Sequence, residues 1–205
     1  MTNCCENKSK ELEQLRKGQK SVLIWVLIIN AVMFVVEFAF GLISQSTALM
    51  ADSLDMFGDA TVYAFSLYVI YKGPIWRARA GLLKGLIMAL FGVFVLGQAL
   101  YRLYLGVVPE AEIMGVIGVL VLAANLVCLA LLYRHRSDDI NMRSTWICSR
   151  NDIVANLSVL VASAMVMWTQ TLWPDTVVAL GIAGLFLKSA FQVIAEANQE
   201  LKANV

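Results

Sequence analysis

Six long apolar runs, joined by connections of only a few residues, dictate what this chain can fold into. A helix needs about 20 residues to cross the hydrocarbon core of a bilayer. Segments near 21–43, 47–71, 80–105, 111–133, 141–168 and 174–196 each reach that length. Links this short join antiparallel neighbours, and inside a bilayer only helices and closed barrels satisfy their own backbone groups. The reading is therefore all-α: a polytopic membrane protein with six transmembrane helices in a compact bundle. Composition agrees, since 60% of the 205 residues are hydrophobic and 15% are charged, against roughly half and a quarter in soluble domains.

Lys and Arg fall on alternate connections. The stretch before the first span carries Lys8, Lys10, Arg16, Lys17 and Lys20; the second-to-third connection has Lys72, Arg77 and Arg79 with Lys84 close by; the fourth-to-fifth has Arg134, Arg136 and Arg143. The other connections hold none, although Arg102 approaches one of them. By the positive-inside rule both termini are cytoplasmic. The chain then divides into a cytoplasmic N-terminal arm (1–20), a membrane domain (21–196) and a short cytoplasmic tail (197–205). Residues 6–20 are too densely charged to be a cleavable signal. The four cysteines, Cys4, Cys5, Cys128 and Cys148, are too few and wrongly placed for a disulfide scaffold and are read as thiols. No nucleophile–base pair, phosphate loop or nucleotide motif appears, so catalysis ranks last. The net charge of +1 gives no reason to expect a nucleic-acid partner.

Against this apolar background the stretch ADSLDMFGDA (51–60) stands out. Asp52, Asp55 and Asp59 fall within about a 60° wedge of one helix face. Ionised carboxylates at mid-bilayer cost roughly 2.5–3.5 kcal/mol each even on a lenient scale, so Asp55 and Asp59 call for a compensating charge. Asp52, near the start of its helix, suits capping or water contact. The basic side chains within reach in depth, Arg150 and Lys188, do not face the site: Arg150 is expected to reach the cytoplasmic surface or pair with Glu37. A polyvalent cation or a proton path answers the electrostatics better.

The fifth span supplies a matching half. Cys148 and Asp152 are spaced i,i+4, as are Asp55 and Asp59, so each pair projects from one face. Facing one another, Asp55, Asp59, Cys148 and Asp152 offer three carboxylates and a thiolate to a four-coordinate divalent ion, and the thiolate tilts preference towards zinc or cadmium. Cys128 reads as a small buried hydrophobe. Asn30, Glu37, Gly41 and Ser44 share one face of the first span, which suits interhelical packing more than metal binding.

Taken together, these residues resemble the cation diffusion facilitator family of divalent-metal/proton antiporters. The likeness is carried by Asn30, Phe34, Glu37 and Gly41, by SQSTALMADS (44–53) leading into Asp55 and Asp59, by Asn141, Cys148, Asp152 and Ser158, and by the WPD that ends at Asp175. It implies that Asp55, Asp59 and Asp152 bind the transported ion and that Cys148 stands where most members carry His. The metal, of zinc or cadmium type, is then cargo rather than cofactor. The resemblance further implies protons as the exchanged ion, alternating access, a homodimer in the lipid bilayer, and residence in a bacterial inner membrane. Two departures are expected: the chain reads as a short form lacking the family's cytoplasmic C-terminal domain, and the histidine-rich loop is reduced to 134–139, whose His135 reads as a solvated loop residue. Cys4 and Cys5 are read as incidental rather than as a capture site. The competing reading is a small proton-coupled exporter of organic cations, which predicts an aromatic-lined cavity.

Overall fold

The computed structural model describes the backbone of residues 2–69, 74–134 and 140–203. Within these, the side chains of 2–19, 62–69, 74–78, 80, 84, 140–145, 147, 148, 151, 200 and 203 lie outside the described set. Six helices make up the described chain: α1 (Thr2–Ile43), α2 (Thr47–Val69), α3 (Pro74–Leu105), α4 (Ala111–Tyr133), α5 (Ile140–Thr169) and α6 (Trp173–Ala203). They follow the six expected spans, with three extensions. The arm before residue 21 is helical and continuous with α1, α3 begins inside the expected second-to-third connection, and α6 runs on to Ala203. Each has a local cause. Pro74 is preset for the first helical position, and the Lys, Glu, Gln and Ala residues flanking the apolar runs are good helix formers that outweigh the one glycine of the arm, Gly18. Five of the helices contain stretches long and apolar enough to cross a membrane. The exception is α2, which spreads Asp52, Asp55 and Asp59 over 23 residues.

The start of α2 is fixed by residues from two places in the sequence. A helix leaves its first N–H groups without intrahelical partners, and here those of Thr47, Ala48 and Leu49 are met by side chains, before the regular bonding begins at Met50. Asp175, in the first turn of α6, accepts from Thr47 N at 2.8 Å and Ala48 N at 3.0 Å. Its carboxylate also takes the hydroxyls of Ser46 at 2.5 Å and Thr47 at 2.6 Å. Ser46 is the N-cap, its Oγ accepting from Leu49 N at 3.1 Å, and its carbonyl takes Met50 N at 3.4 Å. The WPD motif thus pins the beginnings of α2 and α6 together.

Packing places α2 at the centre, in contact with α1, α3, α5 and α6. Residues from Ser46 to Leu54 are buried without a break. The most extensive pairings are α3 with α6, α1 with α2, and α4 with α5. Small residues let the backbones approach, as membrane helices require. A Cβ on Gly41 would stand 2.8 Å from Met50 Cγ and 3.0 Å from Met50 N, and one on Gly85 would stand 2.6 Å from Ile194 Cγ1. Phe34 and Phe38 of α1, Phe57 of α2, and Phe91 and Phe94 of α3 form an aromatic cluster with ring centroids 5.0–6.3 Å apart. Opposite the core, Leu90, Val116, Leu185 and Trp168 are exposed, the outward apolar face expected of helices solvated by lipid.

Candidate metal site

The α2 register set by the Asp175 clamp carries Asp55 and Asp59 two to three turns down the helix, on the side turned towards α5 and α6. There they line a cavity of about 790 Å³ together with Asp152 of α5. Its remaining walls are Gly58 of α2, Met88 of α3, Ala155 and Ser158 of α5, and Val178, Ile182, Phe186 and Ser189 of α6. Gly58 keeps the wall thin, since a Cβ there would come 3.2 Å from the Phe186 ring. The cavity reaches the outer surface between α5 and α6, where Val154, Val177 and Leu185 are exposed.

Three of the four expected ligands are therefore brought to one cavity. Asp152 lies near enough to feel the charges of Asp59, Asp55 and Asp52, in that order of strength. The fourth, Cys148, stands one turn before Asp152 on α5, but its side chain lies outside the described residues. Among the described residues no three His, Cys, Asp or Glu side chains close tightly enough to hold an ion between them. The α2–α5 contact explains this, being the least extensive that either helix makes with a substantial neighbour. Asp55, Asp59 and Asp152 share a cavity without closing on one point.

Other expectations on the apolar helices resolve differently. Asp52 does not cap α2: it lies in the second turn, beyond the four orphan N–H groups, and Ser46 and Asp175 do that work. It is 1% exposed and its Oδ2 accepts from Asn156 Nδ2 at 2.7 Å. Asn156 Oδ1 in turn accepts from Asn125 Nδ2 at 2.8 Å. Glu37 is not paired with Arg150. It is fully buried and feels the charge of Asp52, while Arg150 is exposed with its guanidinium 5.7 Å from the Trp146 ring. Lys188 is exposed. Asn30, Gly41 and Ser44 are buried on the packed face of α1, as expected. Arg102 reaches back to the Gly41 carbonyl at 3.4 Å, at the negative end of α1. Cys128 packs with Val26 and Leu132 as a buried apolar residue, yet it also feels Asp152 and Asp59. His135, Asp138 and Asp139 lie outside the described residues, as do the side chains of Cys4, Cys5, Asn141 and Ser144.

Sequence reasoning did not anticipate Asn125 or the role of Asp175. A lone Asn in a 23-residue apolar helix is itself a signal, because an unpaired amide in hydrocarbon is costly. Its partner on α5 could not be named without the packing.

These features define a multi-pass helical membrane protein with an acidic internal cavity. The cation efflux transmembrane domain matches residues 23–201, and the chain belongs to that family, the cation diffusion facilitators. Its members are transporters rather than enzymes. The chain is 27% identical over 199 residues to the zinc transporter ZitB of Pectobacterium atrosepticum, covering 90% of this chain and 62% of the relative. It is 26% identical over 198 residues to the metal cation efflux system protein CzcD of Cupriavidus metallidurans, covering 87% and 63%. A match to the vacuolar zinc transporter ZRC1 of Saccharomyces cerevisiae has 28% identity over 142 residues, covering 62% of this chain and 32% of the relative. The chain thus spans about three-fifths of the length of the bacterial relatives.

Proposed function

We propose that this chain exports divalent metal cations of the zinc or cadmium type across a bacterial inner membrane, in exchange for protons. The observation that carries this reading is the convergence of Asp55, Asp59 and Asp152 on one mid-bundle cavity. Carboxylates crowded in a low-dielectric site need counter-charge, which a dication or protons supply. The names of the relatives, a zinc transporter and a metal cation efflux protein, point the same way. Cys148, on the turn before Asp152, is the fourth donor and the softest. Among the described residues that line the cavity Phe186 is the one aromatic, and the phenylalanine cluster lies elsewhere, between α1, α2 and α3. That favours a metal ion over an organic cation, which would call for aromatic faces.

Coordination requires the carboxylates and the thiol to be deprotonated, so metal and protons compete for the same atoms. The modest α2–α5 contact leaves room for an ion to draw the two half-sites together. Tilting α5 against α2 would then expose the loaded site to the opposite side, as alternating access requires. Cytoplasmic termini and a homodimer complete the reading. The test is cadmium or zinc flux into proteoliposomes holding the full chain, with and without a pH gradient. Asp59→Ala and Asp152→Ala should each lower flux by more than the roughly 10–100-fold that losing a hydrogen-bond partner of a metal ligand costs. Full flux in either variant refutes the assignment.

A further inference from the structure

One buried group is not used by the proposed metal site. Glu37 of α1 is 0% exposed, and among the described residues neither of its carboxyl oxygens meets an N–H or O–H donor. Asp52 Oδ1 is likewise without a donor among them, and Glu37 and Asp52 lie close enough to feel each other's charge. An ionised carboxylate only accepts, so two of them facing one another can bond only if one carries a proton. The hydrogen-bond chain fixes the far oxygen of Asp52. Asn125 donates to the Asn156 carbonyl, which turns the Asn156 amide N–H towards Asp52 Oδ2. Oδ2 is thereby an acceptor whichever member holds the proton, and Oδ1 is left to share it with Glu37.

We propose that Glu37 and Asp52 form a proton-binding pair of the membrane domain, one proton being shared between the Glu37 carboxyl and the free Oδ1 of Asp52, apart from the cation ligands. The charges that reach Glu37 are those of Asp52 and Asp55, both negative. Among the described residues of α4 and α5, the groups joined to the pair are the uncharged amides of Asn125 and Asn156. Arg102, on α3, is directed to the Gly41 carbonyl and feels Asp175 instead. An unprotonated pair would therefore leave two like charges buried in contact, which a shared site does not tolerate. The pair lies one turn nearer the 44–46 connection than Asp55, linking α1, α2, α5 and α4 through four polar side chains. A carrier gains from this a proton that the metal does not compete for. That use rests on the transport reading, whereas the presence of the proton does not.

Infrared spectroscopy of the full chain in lipid nanodiscs tests it. The carboxylic-acid C=O stretch, identified by its shift in heavy water, is recorded for wild type and Glu37→Gln, both metal-free and with cadmium chloride. Gln keeps a donor for Asp52 and cannot titrate. Loss of one acid band in E37Q supports the proposal; spectra that superimpose in both conditions overturn it. If E37Q does not fold, Asp52→Asn decides: replacing one carboxyl of the pair by an amide should shift or abolish the acid band, and an unmoved band overturns the proposal. Calorimetric titration of the same samples with cadmium keeps the two questions separate. Absent cadmium binding counts against the transport reading, while the E37-dependent band stands or falls by itself.

Discussion

Removing the Asp175 carboxylate should loosen the whole start of α2. In Asp175→Ala, two backbone N–H groups and two hydroxyls lose their acceptor. The hydroxyls can turn to a nearby carbonyl, but the amides of Thr47 and Ala48 cannot. A buried donor left unmet costs about 1–3 kcal/mol, so the two amides together cost roughly 2–6 kcal/mol. That exceeds the loss of an ordinary N-cap, about 0.5–2 kcal/mol. For chains of this length 1 kcal/mol corresponds to about 2–4 °C, so the melting temperature in detergent should fall by roughly 10 °C. Asp175→Asn keeps the shape and one acceptor oxygen and should lose about half as much. Because the same clamp sets the height of Asp55 and Asp59, cadmium binding measured by calorimetry should weaken in parallel. An Asp175→Ala protein melting within about 2 °C of wild type, less than 1 kcal/mol on the same scaling, would refute the clamp.

Gly41→Ala should destabilise by about 1–3 kcal/mol through overpacking, since its Cβ meets Met50 at 2.8 Å, whereas Gly97→Ala, with nothing within 4 Å, should be neutral or slightly stabilising in the same melt. Asn156→Ala removes the donor to Asp52 and the acceptor of Asn125 together, and should cost about 2–4 kcal/mol by the scale of charged and buried hydrogen bonds. Cys148→His should move preference from cadmium towards zinc in competitive uptake; an unchanged ratio would place the thiol outside the ligand set. Cadmium affinity should weaken as pH falls, because protons neutralise the same oxygens and sulfur, with protons released on binding as the calorimetric check in buffers of different ionisation enthalpy.

How the helices divide was legible in the sequence because length and hydropathy are local: 111–133 is apolar but for Glu112 and Asn125, and α4 occupies that interval. The half-sites were legible for the same reason. The i,i+4 spacings of Asp55 with Asp59 and of Cys148 with Asp152 are set by helix geometry alone. Asp52 was harder, because its distance from the helix start allowed capping, and only the arrival of Asp175 from α6 showed that the orphan N–H groups were already met.

The chain's own residues therefore determined that it spans a membrane as helices and which carboxylates each helix carries. Only the tertiary structure decided which of those groups meet. It brings Asp152 to the Asp55 and Asp59 wall, gives Glu37 to Asp52 instead of Arg150, and joins Asn125 to Asn156. Lipid offers no polar partner, so each buried polar group is settled by whichever neighbour the packing of α2 brings within hydrogen-bonding reach.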